Sequence, residues 1–173
     1  MATTSVLISQ ADIQQRIKTL AAEIEKDYPA TEEIHLVAVL KGGFMFMADL
    51  VRAMSERVTM DFMAVSSYGK GTTSSGQVRV LKDLDSNLEG RHVIVVEDIV
   101  DTGLTLHYLQ DLLRARAPKS VKTACLLSKP ARRKVAVQVD YIGFTIEDKF
   151  VVGYGLDFAE KYRNLSYIAI LEQ

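Results

Sequence analysis

The chain has 173 residues, 48% of them apolar and 25% charged, which is typical of a globular protein with one hydrophobic core. A net charge of −1 at pH 7 gives no basic field that would attract nucleic acid, and no apolar run approaches the roughly 18 residues of a membrane span. The single cysteine cannot form an internal disulfide, and the N-terminus lacks the features of a signal peptide. We therefore expect a cytoplasmic protein without nucleic-acid or membrane partners, folded as one domain over residues 1–173.

Helix and strand patterns alternate along the chain. Ser9 followed by Asp12 is typical of a helix N-terminus, and apolar residues three or four positions apart continue that helix towards Pro29. The segment 66–77, rich in Ser, Thr and Gly, predicts a loop. The other predicted elements are a strand at 34–40, a helix at 44–54, strands at 58–65, 78–84 and 92–97, a helix at 103–115, and strands at 121–128, 139–144, 151–153 and 167–171.

This alternation predicts an α/β fold with a mainly parallel central sheet, because parallel strands covered by helices on both faces form continuous apolar runs. Ligands of such sheets bind beyond the carboxyl ends of the strands. We therefore expect the site among the residues that follow the predicted strands, near Lys41, Glu97 and Lys129.

The most informative segment is 95–105, VVEDIVDTGLT. An apolar strand leads into acidic residues, then into Thr-Gly-x-Thr and a helix. The free amides of that helix start, together with the hydroxyls of Thr102 and Thr105, suit a phosphate monoester. Gly103 allows the backbone to approach the phosphate closely. The segment therefore predicts a phosphate site.

Three carboxylates, Glu97, Asp98 and Asp101, lie beside this predicted site. They would repel a bare anion, so their presence favours sugar hydroxyls, a metal or a proton in transit. A simpler interpretation is that Asp98 and Asp101 only cap the helix, although two acids ending a buried strand are costly without partners. Asp-Thr-Gly also occurs in aspartic proteases, but those enzymes need two such loops in an all-β setting.

The segment 95–105 resembles the phosphoribosyl pyrophosphate signature of type I phosphoribosyltransferases, and Glu-Asp-Ile-Val-Asp-Thr-Gly resembles the form found in their hypoxanthine-guanine branch. The resemblance runs in order from about Ile34 to Leu171. It implies the type I fold, a mainly parallel sheet flanked by helices with a small hood from the terminal segments. It also implies purine salvage, in which phosphoribosyl pyrophosphate and hypoxanthine or guanine give IMP or GMP and pyrophosphate. Mg²⁺ and a homodimer or homotetramer are implied as well.

The resemblance assigns roles to individual residues. Asp101 is the expected catalytic base for the purine N7 proton. The expected phosphoribosyl and 5′-phosphate ligands are Glu97, Asp98, Asp101, Thr102, Gly103, Leu104 and Thr105. Pyrophosphate is assigned to Lys41, Gly42 and Arg163, after a cis Leu40–Lys41 peptide. The purine is assigned to Lys129, Phe150, Val151 and Asp157, the metal to Glu97, Asp98 and Asp157, and a catalytic lid to Ser67 and Tyr68.

Several of these residues also have simpler interpretations. Phe150 could be a core residue, Lys129 a solvated charge, and the segment around Tyr68 a surface loop without function. A regulator that only senses phosphoribosyl pyrophosphate or a nucleotide would need a nucleic-acid-binding surface, which the neutral charge disfavours. A phosphoribosyltransferase for another base is disfavoured by Lys129 and the block around Phe150. The preference among hypoxanthine, guanine and xanthine stays open.

Overall fold

A computed structural model describes residues 3–67 and 78–172. In chain order its elements are β1 Thr3–Ile8, α1 Gln10–Lys26, β2 Ile34–Leu40, α2 Phe44–Arg52, β3 Val58–Ser67, β4 Val78–Lys82, β5 His92–Val100, α3 Leu104–Arg114, β6 Ser120–Ser128, a 3₁₀ turn Pro130–Arg132, β7 Tyr141–Thr145, β8 Val151–Val152 and β9 Ile168–Glu172. None of the described helices is long and apolar enough to cross a membrane.

A six-stranded sheet in the order β4-β3-β2-β5-β6-β7 forms the centre of the molecule. All its neighbouring strands are parallel except β4, which is antiparallel to β3. Leu36 and Ala38 of β2 pack with α1 and α2, whereas Val37 and Val39 pack with α3 on the other face. Burial on both faces explains the continuous apolar strands, and the predicted parallel α/β fold is confirmed.

A second sheet, in the order β1-β9-β8, joins the two ends of the chain and forms the predicted hood. Strand β1 pairs antiparallel with β9, which also pairs with β8. The sequence did not predict β1. One face of this small sheet is open to solvent, since Val6 is 62% exposed. The strand that pairs with β1 is β9, which is far away in the sequence.

The central strand β5 is longer than predicted. It continues three residues past Glu97 because Glu97, Ile99 and Val100 still pair with β6. The adjacent acids Glu97 and Asp98 therefore lie within the strand and not in the loop after it. Helix α2 ends at Arg52, two residues earlier than predicted.

The predicted lid lies largely outside the described residues. Tyr68 is not described, and Ser67 is described only as a backbone pair of Val78 between β3 and β4. The proposal of a lid therefore stays a prediction.

Gly143 allows β7 to pack closely on β6. A Cβ at this position would come within 2.5 Å of the Leu126 carbonyl oxygen, a backbone atom that cannot rotate away. Arg16 of α1 further fixes β7 by donating to the carbonyl oxygens of Gly143, at 2.9 Å, and Ile142, at 2.7 Å. Strand β7 leads directly into the segment that carries Phe150.

We expect Gly143→Ala to lower the free energy of unfolding by about 1–3 kcal/mol, the usual cost of forcing an extra carbon into a packed interior. Urea unfolding followed by circular dichroism measures the change. An unchanged midpoint would mean that β7 moves away from Leu126 without cost.

Candidate active site

The site lies where the parallel strands end. Strands β2, β5 and β6 end side by side in the sheet, and their following segments are 41–43, 101–105 and 129–133. The segment 147–163, which contains β8, covers this edge from the hood. These four segments carry the residues that the sequence assigned to the site, apart from the lid and the two acids inside β5.

The turn between β5 and α3 forms a small cavity of about 90 Å³. Gly103 precedes the helix with φ +86° and, as a glycine, caps it without a side chain. The Leu104 amide donates to Thr102 Oγ1 at 3.4 Å, whereas the amides of Thr105 and Leu106 make no hydrogen bond to the described residues and can bind an anion. Thr102, Gly103 and Thr105 line the cavity, and Leu104 does not.

Glu97 is buried and Asp98 is half-buried near the end of β5. Glu97 lines the small cavity, and burial together with the neighbouring Asp98 raises its pKa well above the usual value. Burial also raises the pKa of Asp98 to about 6, although the Ile99 amide, 2.8 Å from Oδ1, and the charge of Arg163 partly oppose the shift. A ligand that brings hydroxyl groups or a cation would stabilise both carboxylates.

A larger cavity of about 540 Å³ adjoins the small one. Both are lined by Ile99 and Asp101, so one extended ligand can occupy the two cavities at once. The other residues that line the larger cavity are Asp98, Lys129, Arg132, Asp148, Phe150, Val151, Leu156 and Asp157.

Lys129 is not a solvated surface charge. Its side chain lines the larger cavity, the residue is only 6% exposed, and burial lowers its pKa against the opposing charges of Asp101 and Asp148. Its amide donates to the Val100 carbonyl at 3.0 Å, which anchors the backbone to β5. Within residues 3–67 and 78–172 its ammonium group makes no hydrogen bond, so three donors face the cavity.

Phe150 is not a core residue. It is 45% exposed and lines the same cavity, with its ring edge-to-face with Phe158 at a centroid distance of 5.7 Å. An exposed ring at a cavity wall suits stacking on a planar ligand. The next residue, Val151, is buried and pairs with Ile170 of β9, which holds the ring's backbone against the hood.

Asp101 forms an ion pair that the sequence did not predict. Its Oδ1 accepts a hydrogen bond from Arg132 Nε at 2.6 Å, and Arg132 Nη1 lies 3.6 Å from Asp148 Oδ1. The N-cap of α3 is Gly103, and no amide of the described residues donates to the Asp101 side chain, so that side chain does not cap the helix.

The next residue, Arg133, joins the segment 129–133 to the ends of β5 and β6 and to the turn after β5. Its Nη1 donates to the carbonyl oxygens of Val100, at 2.8 Å, and Asp101, at 2.7 Å, and Nη2 donates to Ser128 Oγ at 2.9 Å. Neither arginine was predicted as a site residue. The available signal was a pair of arginines shortly after the end of β6, at 132 and 133.

The Lys41–Gly42 loop packs tightly against the other segments. The Leu40–Lys41 peptide is cis, as the resemblance implies. A Cβ on Gly42 would overlap the Asp98 carboxylate, and one on Gly155 would overlap the Gly42 carbonyl oxygen. Only glycine fits at 155, where φ is +98° and the overlap is with backbone, whereas at 42 a side chain would have to displace the Asp98 carboxylate. Gly155 was not predicted as a site residue.

Two predicted pyrophosphate ligands are joined by an unpredicted acid, Glu160. Glu160 accepts from Lys41 Nζ at 2.9 Å and from Arg163 Nη2 at 3.2 Å, and the pairing lowers its pKa. Arg163 also donates to the Gly155 carbonyl at 2.7 Å, and its buried Nε has no partner among the described residues. The cations of Lys41 and Arg163 therefore lie close together, and the space beside them suits an anionic ligand.

The three acids predicted to bind metal do not form one preformed cluster. No group of three or more His, Cys, Asp or Glu suited to a metal occurs in the described part of the chain. Asp98 and Asp157 line the larger cavity, while Glu97 lines the smaller one. Mg²⁺ often binds to one or two carboxylates together with substrate phosphates, and this pair of acids fits that arrangement.

Known proteins match this chain over nearly its whole length, including the segments that form the site. A sequence model of the phosphoribosyl transferase domain matches residues 7–159. The chain is 51% identical to the hypoxanthine-guanine phosphoribosyltransferase of Bacillus subtilis over 167 residues, 96% of this chain and 92% of that one. It is 49% identical over 172 residues to the hypoxanthine phosphoribosyltransferase of Haemophilus influenzae, covering 97% and 96%.

The crystal structure of a hypoxanthine-guanine phosphoribosyltransferase from Bacillus anthracis has the same fold, with a TM-score of 0.93 and 52% sequence identity over 97% of this chain and 98% of that one. At this coverage the similarity includes both sheets and both cavities. The chain therefore belongs to the phosphoribosyltransferase family, in its hypoxanthine-guanine branch.

Proposed function

We propose that the chain transfers the phosphoribosyl group of phosphoribosyl pyrophosphate to N9 of hypoxanthine or guanine, giving IMP or GMP and pyrophosphate in purine salvage. One observation carries the proposal: a phosphate-sized cavity and a larger cavity meet at Asp101. The first suits the 5′-phosphate, the junction suits the ribose, and the second suits a planar base.

In this arrangement the 5′-phosphate binds the free amides and hydroxyls of 102–105. Burial raises the pKa of Glu97 and Asp98. These two carboxylates accept hydrogen bonds from the ribose hydroxyls. Pyrophosphate lies on the Lys41–Gly42 loop and near Arg163. The base stacks on Phe150, next to the backbone of Val151 and Asp157.

The reaction exchanges one bond at the anomeric carbon for another. The C1–pyrophosphate bond breaks through a loose cationic transition state while purine N9 forms the new bond. Asp101 lies at the junction of the cavities and takes the proton from purine N7. Catalysis then depends mainly on positioning and on stabilising the changing charges.

Mg²⁺ is the proposed metal, and it would enter with phosphoribosyl pyrophosphate and offset the charge of the departing pyrophosphate. Asp98 and Asp157 both line the larger cavity, so their carboxylates are the proposed protein contacts. Glu97 was also predicted to bind the metal, and this role stays a proposal, on the side of the ribose.

We further propose one domain over 1–173, because β5 of the central sheet and β8 of the hood both contribute to the site. A homodimer or homotetramer is supported by the exposed apolar side chains of Phe44 and Met60. A cytoplasmic location is supported by Cys125, which is buried and free.

We expect Asp101→Asn to lower kcat by about 10²–10⁴, the usual contribution of a positioned general base. The amide can still accept the hydrogen bond from Arg132, but it cannot take a proton. Steady-state rates with hypoxanthine measure the effect, with Asp111→Asn, an exposed acid on α3, as the matched control. A variant that turns over at the wild-type rate would remove Asp101 from the role of base.

We expect activity to require a divalent cation, with Mg²⁺ most effective, because hard oxygen ligands and a pyrophosphate leaving group favour it. Excess EDTA should abolish turnover, and added Mg²⁺ should restore it. Asp157→Asn should raise the Mg²⁺ concentration that gives half-maximal rate. Full activity in excess EDTA would contradict the metal requirement.

We expect Lys129 to exclude adenine, because an ammonium group donates to a 6-oxo group but has nothing to accept from a 6-amino group. Sites built around one hydrogen bond discriminate by up to about 10⁴–10⁵. Lys129→Gln should lose most activity with hypoxanthine and lower the ratio of kcat/KM for hypoxanthine over adenine. The control is Lys134→Gln, a lysine five residues further along the chain that is exposed. An unchanged ratio in Lys129→Gln would mean that another group selects the base.

A further inference from the structure

Arg132 connects two carboxylates on one wall of the larger cavity. Its Nε donates to Asp101 Oδ1 at 2.6 Å, and its Nη1 lies 3.6 Å from Asp148 Oδ1. Asp148, Arg132 and Asp101 thus form a row of alternating charge, and all three line the cavity. The two acids raise the pKa of Arg132, so the guanidinium remains charged.

The contact occupies only one oxygen of Asp101. Arg132 binds Oδ1, which leaves Oδ2 available to a ligand in the cavity. Lys129 is the other cation that lines this cavity, and its charge is also attracted by Asp101 and Asp148. If Asp101 paired with Lys129, the two groups would neutralise each other, and neither would be available to the base.

We propose that Arg132 is a positioning residue for the reaction. It holds Asp101 Oδ1 so that Oδ2 faces the purine, and it keeps Asp101 from pairing with Lys129. Asp148 supports the guanidinium from the other side. This inference rests on the proposed role of Asp101 as the base.

The backbone at this point does not depend on the Arg132 side chain. Arg132 ends the 3₁₀ turn, where its amide donates to the Lys129 carbonyl at 3.1 Å. The neighbouring Arg133 separately ties this turn to Val100 and Ser128. The side chains of Asp101 and Asp148 are 39% and 51% exposed, so replacing Arg132 leaves no buried charge without a partner.

A double-mutant cycle with Asp101 tests the proposal, since residues that act through one another have non-additive effects. The variants are Arg132→Met, Asp101→Asn and the double substitution, with Arg114→Met, an exposed arginine on α3, as the control. We expect Arg132→Met to lower kcat by about 10-fold, the order that a lost hydrogen bond between charged groups costs. The KM for phosphoribosyl pyrophosphate should stay within about twofold, because the phosphate amides are unchanged.

In the Asp101→Asn background, Arg132→Met should cause no further loss. Arg132→Lys should recover part of kcat because it restores a cation, and Asp148→Asn should lower kcat by about threefold or less, as expected for a partly exposed pair. Thermal unfolding midpoints equal to that of Arg114→Met will establish that the variants are folded.

The outcomes separate the two proposals. The same fold loss for Arg132→Met in both backgrounds, or no loss in the wild-type background, would overturn the positioning role and leave Asp101 as the base. An Asp101→Asn variant with the wild-type rate would instead overturn the proposed base, and the inference with it.

Discussion

The burial of two adjacent carboxylates at the end of β5 is the constraint on which the rest of the site depends. Glu97 and Asp98 lie within β5 in the middle of the sheet, where Glu97 is only 8% exposed and Asp98 is half-buried at the wall of the larger cavity. Burial raises the pKa of both groups, which means that their charged forms are poorly stabilised in the free protein. The glycine at 42 brings the backbone of the neighbouring loop against Asp98, and a ligand with hydroxyls or a cation completes the stabilisation.

The sequence predicted the central sheet because its strands are buried on both faces and their apolar runs are unbroken. The same logic failed for β1, which belongs to a small antiparallel sheet with one open side and pairs with a strand at the other end of the chain. The prediction from the sequence also ended β5 too early, because a pair of acids normally marks the end of a buried strand. Here the hydrogen bonds to β6 continue past the acids, and the pairing overrides the local preference of the residues.

Site residues that lie in one contiguous motif were predictable, since the spacing of 95–105 itself specifies a strand, an anion-binding turn and a helix. Asp148 and Glu160 were not predictable, because their roles arise only when separate segments meet at the sheet edge, and for Arg132 the arginine pair after β6 was the only signal. Each lies on the surface of its own segment and has the composition of an ordinary solvated charge. Contacts of 2.6 to 3.6 Å with residues from other segments give them their roles.

The free site is dense in charge, and outside the adjacent acids Glu97 and Asp98 much of that charge alternates in two rows. One row runs through Asp148, Arg132 and Asp101, and a second through Lys41, Glu160 and Arg163. Each row places the opposite charge between two like charges, and the two rows have opposite net charge, so they partly offset each other at long range. Selectivity must then come from close contacts. Under the proposed function, we expect Lys129, whose ammonium has no hydrogen-bond partner within the described ranges, to distinguish the bases by what they present to it.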